Sequence, residues 1–242
     1  MIRGIISGME LSVRIAAHPK RELWATELSR ALDAPITWDE QNNVWHTHRR
    51  ALLSASGDYV MVIQDDAVLS EGLVESVTKA IHHADGEPIS LYAWPTKTVT
   101  GIVNLNPVTW WRMLGPLFGV AVVLPVEDVV PIVQHGDIYR GPSYDRRLWR
   151  WYQIQKRLCR YTFPCLVEHR DEPSLMWTTP RPHRKALAFG SGLDLDWTVP
   201  PLDATHDVRS PKVILVQDGR EVTVRKYTSI WRRRVAAGWV EK

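Results

Sequence analysis

Asp58-Tyr59-Val60-Met61-Val62-Ile63-Gln64-Asp65-Asp66-Ala67 is an apolar run that stops at two adjacent carboxylates. The block from Tyr59 to Ile63 is rich in β-branched and aromatic types, the composition of a strand buried on both faces in a parallel sheet. Asp65 and Asp66 are thereby placed at its C-terminal end. In open α/β sheets ligands bind at that edge, so the pair points to a divalent cation and a phosphorylated ligand. Uncompensated, the two charges would repel.

The flanks extend the pattern. Residues 43–56 carry Val44, Ala51, Leu52 and Ala55 at helical spacing and run into the turn Gly57-Asp58. After the acids, Ser70 reads as the N-cap of a second helix, with Glu71 in its first turn and Leu73, Val74, Val77 and Ile81 on its apolar face. Upstream, residues 11–17 read as a strand, Pro19 opens a helix over 21–32, and 35–38 form a short strand ending at Asp39. Downstream, strands are expected at 89–94, 118–124 and 163–168, with helices at about 126–134 and 145–158; residues 95–112 are too irregular for one element. This alternation predicts the α/β class: a doubly wound, mostly parallel central sheet with helices on both faces.

Beyond Thr178 the character changes. Pro180, Pro182, Pro200, Pro201 and Pro211 punctuate a stretch without periodicity, and Val213 to Val216, the turn Asp218-Gly219 and Val222 to Val224 then read as a β-hairpin. A basic helical end follows from Ser229, with Ile230, Val235 and Trp239 compatible with one face. The expected organisation is a catalytic domain over 1–177 and a C-terminal appendage over 178–242.

Composition narrows the class only slightly. With 242 residues there is enough chain for a substantial core, and a net charge of +3 neither requires nor excludes a polyanionic partner. Cys159 and Cys165 lack metal-ligand spacing, which favours a reducing cytoplasmic setting. No stretch approaches the roughly 20 apolar residues of a membrane span. Residues 1–8, broken by glycine, are expected to be a frayed extension or a start-site artefact.

The stretch from Trp45-His46-Thr47-His48-Arg49-Arg50-Ala51 through Gln64-Asp65-Asp66-Ala67-Val68-Leu69 resembles nucleotide-sugar glycosyltransferases of the GT-A fold, closest to the lipopolysaccharide-type branch. There a His-containing helix precedes a strand ending in Glu-Asp-Asp-Ala; this chain has Gln64 in place of the Glu. Pro164 to Leu175, with His169, is similar to the segment that returns a late His to the metal. The compact length and fused tail resemble transferases encoded by bacteriophages of actinobacteria that decorate virion proteins. The resemblance implies a nucleotide-sugar donor, UDP-linked, and transfer to a hydroxyl acceptor with inversion. It implies Mn²⁺ or Mg²⁺ on Asp66 and His169, with Asp65 orienting ribose or a metal-bound water. His18, Pro19, Arg21 and Asp39 would hold the nucleoside, and one of Arg49 and Arg50, on the helix before the acids, would face the diphosphate while the other points to solvent. Asp145, at a helix start, would be the general base. A protein is the expected acceptor, and Trp94, Trp110 and Trp111 are candidate stacking platforms for it.

His46 and His48 are not read as a metal pair, because residues two apart on a helix face different ways. Two rivals compete with the transferase. A nucleotidyltransferase should carry a glycine-rich phosphate loop after the first strand, where Ala16-Ala17-His18-Pro19-Lys20-Arg21 stands instead. A nucleic-acid binding factor, or a transferase acting on modified DNA, would use the tail Lys226 to Arg234, with three consecutive arginines beside Trp231.

Overall fold

A computed structural model describes residues 8–94, 109–139, 141, 143–170, 172–173, 175, 184–206, 213–217 and 220–224, with side chains up to 203. The expectations for residues 1–7, most of 95–112, the turn Asp218-Gly219 and the basic tail lie outside the described residues.

The chain is α/β. Its main sheet has ten strands in the order β12-β11-β10-β6-β8-β5-β7-β3-β1-β2. These are β1 (Leu11–Ala17), β2 (Ile36–Trp38), β3 (Tyr59–Gln64), β5 (Ile89–Ser90), β6 (Trp110–Met113), β7 (Ala121–Pro125), β8 (Cys159–Thr162), β10 (Leu202–His206), β11 (Val213–Gln217) and β12 (Arg220–Val224). β4 (Ala67–Leu69) and β9 (Val167–His169) form a separate antiparallel pair. In the main sheet β1, β2, β3, β5, β8 and β11 run one way, and β6, β7, β10 and β12 run the other. The sheet is therefore mixed, with its parallel core at β2-β1-β3.

Helices cover both faces. On one side α1 (Glu22–Leu32) and α3 (Leu73–Ile81) pack through Ala25, Leu28, Leu32, Leu73 and Val77 onto Tyr59, Met61 and Ile63 of β3. On the other, α2 (Val44–Leu53), α4 (Val126–Ile138) and α5 (Tyr144–Ile154) pack through Leu52, Ile132, Leu148 and Tyr152 onto Val60 and Val62. Alternate residues of β3 thus enter opposite cores, which explains its unbroken apolar composition. Each such large side chain contributes about 1.5–3 kcal/mol when fully buried.

Strand order creates the crevice. β1 is hydrogen-bonded to β2 on one side and β3 on the other, so the connection leaving β1 runs to β2 while the one leaving β3 runs on to β5 on the opposite side, and the two diverge at the C-terminal edge. Ala16 is opposite Gln64 and Ala17 opposite Trp38, which aligns the exits of all three strands. This is a topological switch point.

Several boundaries differ from the sequence expectation. The helix after the acids begins at Leu73 rather than Ser70, because Ala67–Leu69 is taken up by pairing with β9 and the backbone N–H of Ser70 donates to the Leu166 carbonyl. Gly72 makes the entry at φ +65, and a Cβ there would lie 2.3 Å from Leu193. β6 and β8 emerge where loop or helix end was expected; their side chains are buried between neighbouring strands and lack simple alternation.

Among the described residues, 184–203 pack against the sheet built by the first part of the chain. β10 adds parallel to β6, Trp197 packs edge-on to Trp110 at 5.3 Å, Trp110 Nε1 donates to the Val199 carbonyl at 2.7 Å, and Leu202 joins the core. Pro200 and Pro201 directly precede β10, in a segment that packs on the sheet. β11 and β12 are antiparallel, as the hairpin reading expects.

Candidate functional site

Asp65 and Asp66 follow β3 directly, and the elements around the switch point bring partners to them. The 3₁₀ turn Pro19–Arg21 follows β1 and is capped by His18, whose Nδ1 accepts from Lys20 N–H at 3.1 Å. Pro19 is exposed and sets this turn without lining the pocket. The His18 backbone N–H donates to Asp65 Oδ2 at 2.7 Å. Arg21 Nη1 then bridges the acids, at 2.9 Å from Asp65 Oδ1 and 2.6 Å from Asp66 Oδ2.

His169 reaches the acids from the other side. Pairing of β4 with β9 sets Ala67 opposite His169, and Arg170 N–H donates to the Asp66 carbonyl at 2.8 Å. His169 Nε2 consequently lies 3.4 Å from Asp66 Oδ2. This is the juxtaposition the sequence expectation required, built from two short strands of which only β9 was anticipated.

Arg21, Asp65, Asp66 and His169 are nearly sealed from solvent, with side-chain exposures of 9, 8, 7 and 3 %. Burial pushes the Asp65 carboxyl above its usual range, and Asp66 adds to this against the opposing pull of the His18 N–H and Arg21. Burial also lowers Arg21, but the two carboxylates outweigh it and raise it overall. His169 is lowered mainly by burial, despite Asp66, so it stays neutral near pH 7. Formally, one guanidinium faces two carboxylates and one negative charge is left over.

A cavity of about 130 Å³ opens over this cluster, lined among others by Ala16, His18, Asp39, Thr47, His48 and Arg184. A second, of about 310 Å³, is lined by Asn43, Trp45, Ser143, Tyr144 and Arg147. They share Asn42, Val44 and Leu175, which makes them one trough running from the acids to the start of α5.

The other expected site residues divide. Asp39 belongs to the pocket and is 7 % exposed, although its Oδ1 also accepts from Asn43 N–H at 2.8 Å and so closes the turn into α2. Arg49 does not line the pocket: its Nε is 3.0 Å from Asp137 Oδ2, which directs it to α4. Asp145 lines neither cavity; it sits in the first turn of α5, next in sequence to trough-lining Tyr144, and its Oδ1 accepts from Arg146 N–H at 2.8 Å. Trp110 and Trp111 offer no ring face to a sugar. They are 1 and 0 % exposed, Trp110 against Trp197 and Trp111 stacked on Tyr161 at 5.3 Å. Trp94 is half-buried against the core.

Two pocket residues escaped the sequence reading. Arg184 follows a stretch with no periodicity. His48 was considered only as a partner of His46, yet its ring stacks on Tyr144 with centroids 3.4 Å apart. His48 Nδ1 is 2.8 Å from the Val44 carbonyl, which can only accept, so Nδ1 carries the proton and Nε2 presents a lone pair. That Nε2 has no hydrogen-bond partner among the described residues, and burial lowers the imidazole to about 4.

Among the described residues no three His, Cys, Asp or Glu side chains converge as a metal cage. Asp66 and His169 make a two-donor set, and Asp66 Oδ1 and His169 Nδ1 lack hydrogen-bond partners there. Such a set suits an ion that completes its shell with water and phosphate oxygens, as Mg²⁺ or Mn²⁺ does, and the imidazole favours Mn²⁺. It does not suit calcium or structural zinc, which need more protein ligands.

No helix among the described residues is long and apolar enough to cross a membrane. Cys159 and Cys165 are buried free thiols, both raised by burial, Cys165 to about 11. No protein-family model matches the chain, and no curated protein does.

Proposed function

We propose that the protein is a glycosyltransferase that moves a sugar from a nucleotide-linked donor, UDP in the simplest case, to a hydroxyl acceptor with the help of Mn²⁺ or Mg²⁺. The observation that carries this reading is the buried acid pair at the switch point, with His169 3.4 Å from Asp66 and a trough leading away from both. A nucleoside diphosphate is a dianion or more, and a leaving group of that charge needs a cation.

In this reading Asp66 and His169 would hold the ion, and its positive charge would offset that of the departing diphosphate. Asp65 fixes the His18 turn and Arg21. Asp39 takes hydrogen bonds from the nucleoside, and His48 Nε2 accepts one from a ligand hydroxyl or N–H. Arg184 faces phosphate, the role expected of Arg49 or Arg50. The acceptor enters the wider part of the trough between α2 and α5, and Asp145 removes its hydroxyl proton. A protein acceptor and a cytoplasmic setting remain part of the proposal. The stretch after β1 has no glycine-rich loop in the structure either, which favours transfer of sugar over transfer of a nucleotidyl group.

The test is a thermal-shift panel of nucleoside diphosphates with and without Mn²⁺, since a ligand that binds the folded state raises its melting temperature. Stabilisation by a diphosphate only when Mn²⁺ is present is the expected result. No response to any nucleotide under either condition overturns the reading.

A further inference from the structure

We infer that Arg21 is an internal cation that holds the place of the divalent ion, so that metal and nucleoside diphosphate can enter the pocket only cooperatively. The inference rests on the nucleotide-sugar reading above and concerns how that site is loaded. Its basis is the position of one atom. Arg21 Nη1 lies 2.9 Å from Asp65 Oδ1 and 2.6 Å from Asp66 Oδ2, and it thereby engages the carboxylate oxygen that His169 Nε2 also faces.

A divalent ion drawn to Asp66 and His169 meets that guanidinium. Two cations cannot share Asp66 Oδ2 in a site only 7–9 % exposed without strong repulsion. For the metal to bind, Arg21 must withdraw from Asp66, and a buried guanidinium deprived of an acceptor is costly. Among the described residues only Asp65 and the Pro173 carbonyl, 3.0 Å from Nη2, remain to it. A diphosphate removes the obstacle, because its oxygens match the planar guanidinium fork. Conversely, a diphosphate entering alone meets two carboxylates that Arg21 only half offsets, with Arg184 as the other cation of the pocket. Each ligand relieves the penalty of the other, and Arg21 is the element both displace. The Arg21 side chain stays near the site throughout, since its backbone is fixed by the turn and its guanidinium lies 5.7 Å from the Trp24 ring.

The test is Mn²⁺ binding to the full chain, measured from the electron paramagnetic resonance signal of free Mn²⁺ with and without UDP, for wild type, Arg21→Gln, Arg21→Lys and Asp66→Ala. Reciprocity requires UDP to raise Mn²⁺ affinity by the same factor as Mn²⁺ raises UDP affinity, and couplings of this kind are commonly about 5–150-fold. Wild type should bind Mn²⁺ weakly alone and at least about 10-fold tighter with UDP. Arg21→Gln should bind Mn²⁺ alone about 10-fold tighter than wild type, with coupling reduced towards unity. Arg21→Lys keeps a charge but loses the fork, so it should fall between them; it decides the matter if Arg21→Gln does not unfold cooperatively. The inference is overturned if the folded Arg21 variants bind Mn²⁺ alone no tighter than wild type. If Asp66→Ala nevertheless loses Mn²⁺, the metal site stands without the Arg21 device. Absence of Mn²⁺ binding in every form, with or without UDP, overturns both.

Discussion

Ala67 is paired across an antiparallel ladder with His169, and this single register brings an imidazole from late in the chain to 3.4 Å from the carboxylate of the residue before Ala67. A one-residue slip would turn His169 to the opposite face of the pair. The site therefore depends on two strands of three residues each, supported by the Arg170 N–H to Asp66 carbonyl bond.

Asp66→Ala should abolish Mn²⁺-dependent nucleotide binding and leave the protein folded. Arg21 keeps Asp65 as a partner in this variant, so no buried charge is stranded. His169→Ala should weaken the Mn²⁺ dependence without eliminating it, because Asp66 remains. Mn²⁺ titrations with UDP, followed by melting temperature, check both; a wild-type Mn²⁺ response in Asp66→Ala refutes the assignment.

Asp145→Asn should lower turnover by about 10²–10⁴-fold while leaving donor affinity within about twofold, as expected for removal of a positioned acid–base group. Steady-state rates with UDP binding measured in parallel decide this. A comparable loss of UDP affinity would move Asp145 from proton transfer to binding.

His48 makes acid stability predictable. Its folded value of about 4 lies below the 6.5 of an unperturbed imidazole, so the unfolded chain takes up the proton first. The contribution is intact above about pH 6.5 and is lost progressively as pH falls towards 4, reaching about 3 kcal/mol at the lower end. Urea unfolding of wild type and His48→Gln at intervals through this range should show a shallower slope in the variant. Parallel slopes would mean that His48 is not held neutral.

The parallel core and the position of the acids were legible because β3 is buried on both faces and its composition says so. The helix before the acids was equally legible, since the apolar spacing over 43–56 corresponds to α2, which Asn43 caps by accepting from His46 N–H. His169 was found by its resemblance to a family segment; its spacing in the sequence carries no such information. Arg21 was assigned to the nucleoside, and nothing local indicates that it reaches the acids, 44 and 45 residues away. Trp110 and Trp111 misled because an aromatic pair in an irregular segment reads as surface, whereas β6 is completed only by the distant strands β8 and β10.

Truncation separates the packed segment from the edge hairpin. A chain ending after Met176 loses Trp197, Leu202 and the Val199 carbonyl that accepts from Trp110 Nε1, and it leaves Arg112 with Glu87 but without Asp203. Losing one large buried side chain costs about 2–5 kcal/mol, and removing two leaves little of the 5–15 kcal/mol a domain typically has. That chain should fail to unfold cooperatively and should bind no nucleotide. A chain ending after His206 keeps every one of these contacts and, among the described residues, gives up only β11 and β12 at the sheet edge, so it should retain a cooperative transition and its Mn²⁺ and UDP responses. Gly72→Ala tests the same packing from within: a Cβ at φ +65 and 2.3 Å from Leu193 should cost about 2 kcal/mol, read as a lowered urea midpoint. If the chain ending after Met176 instead melts like wild type, residues 184–203 are an appendage and the sheet ends at β6.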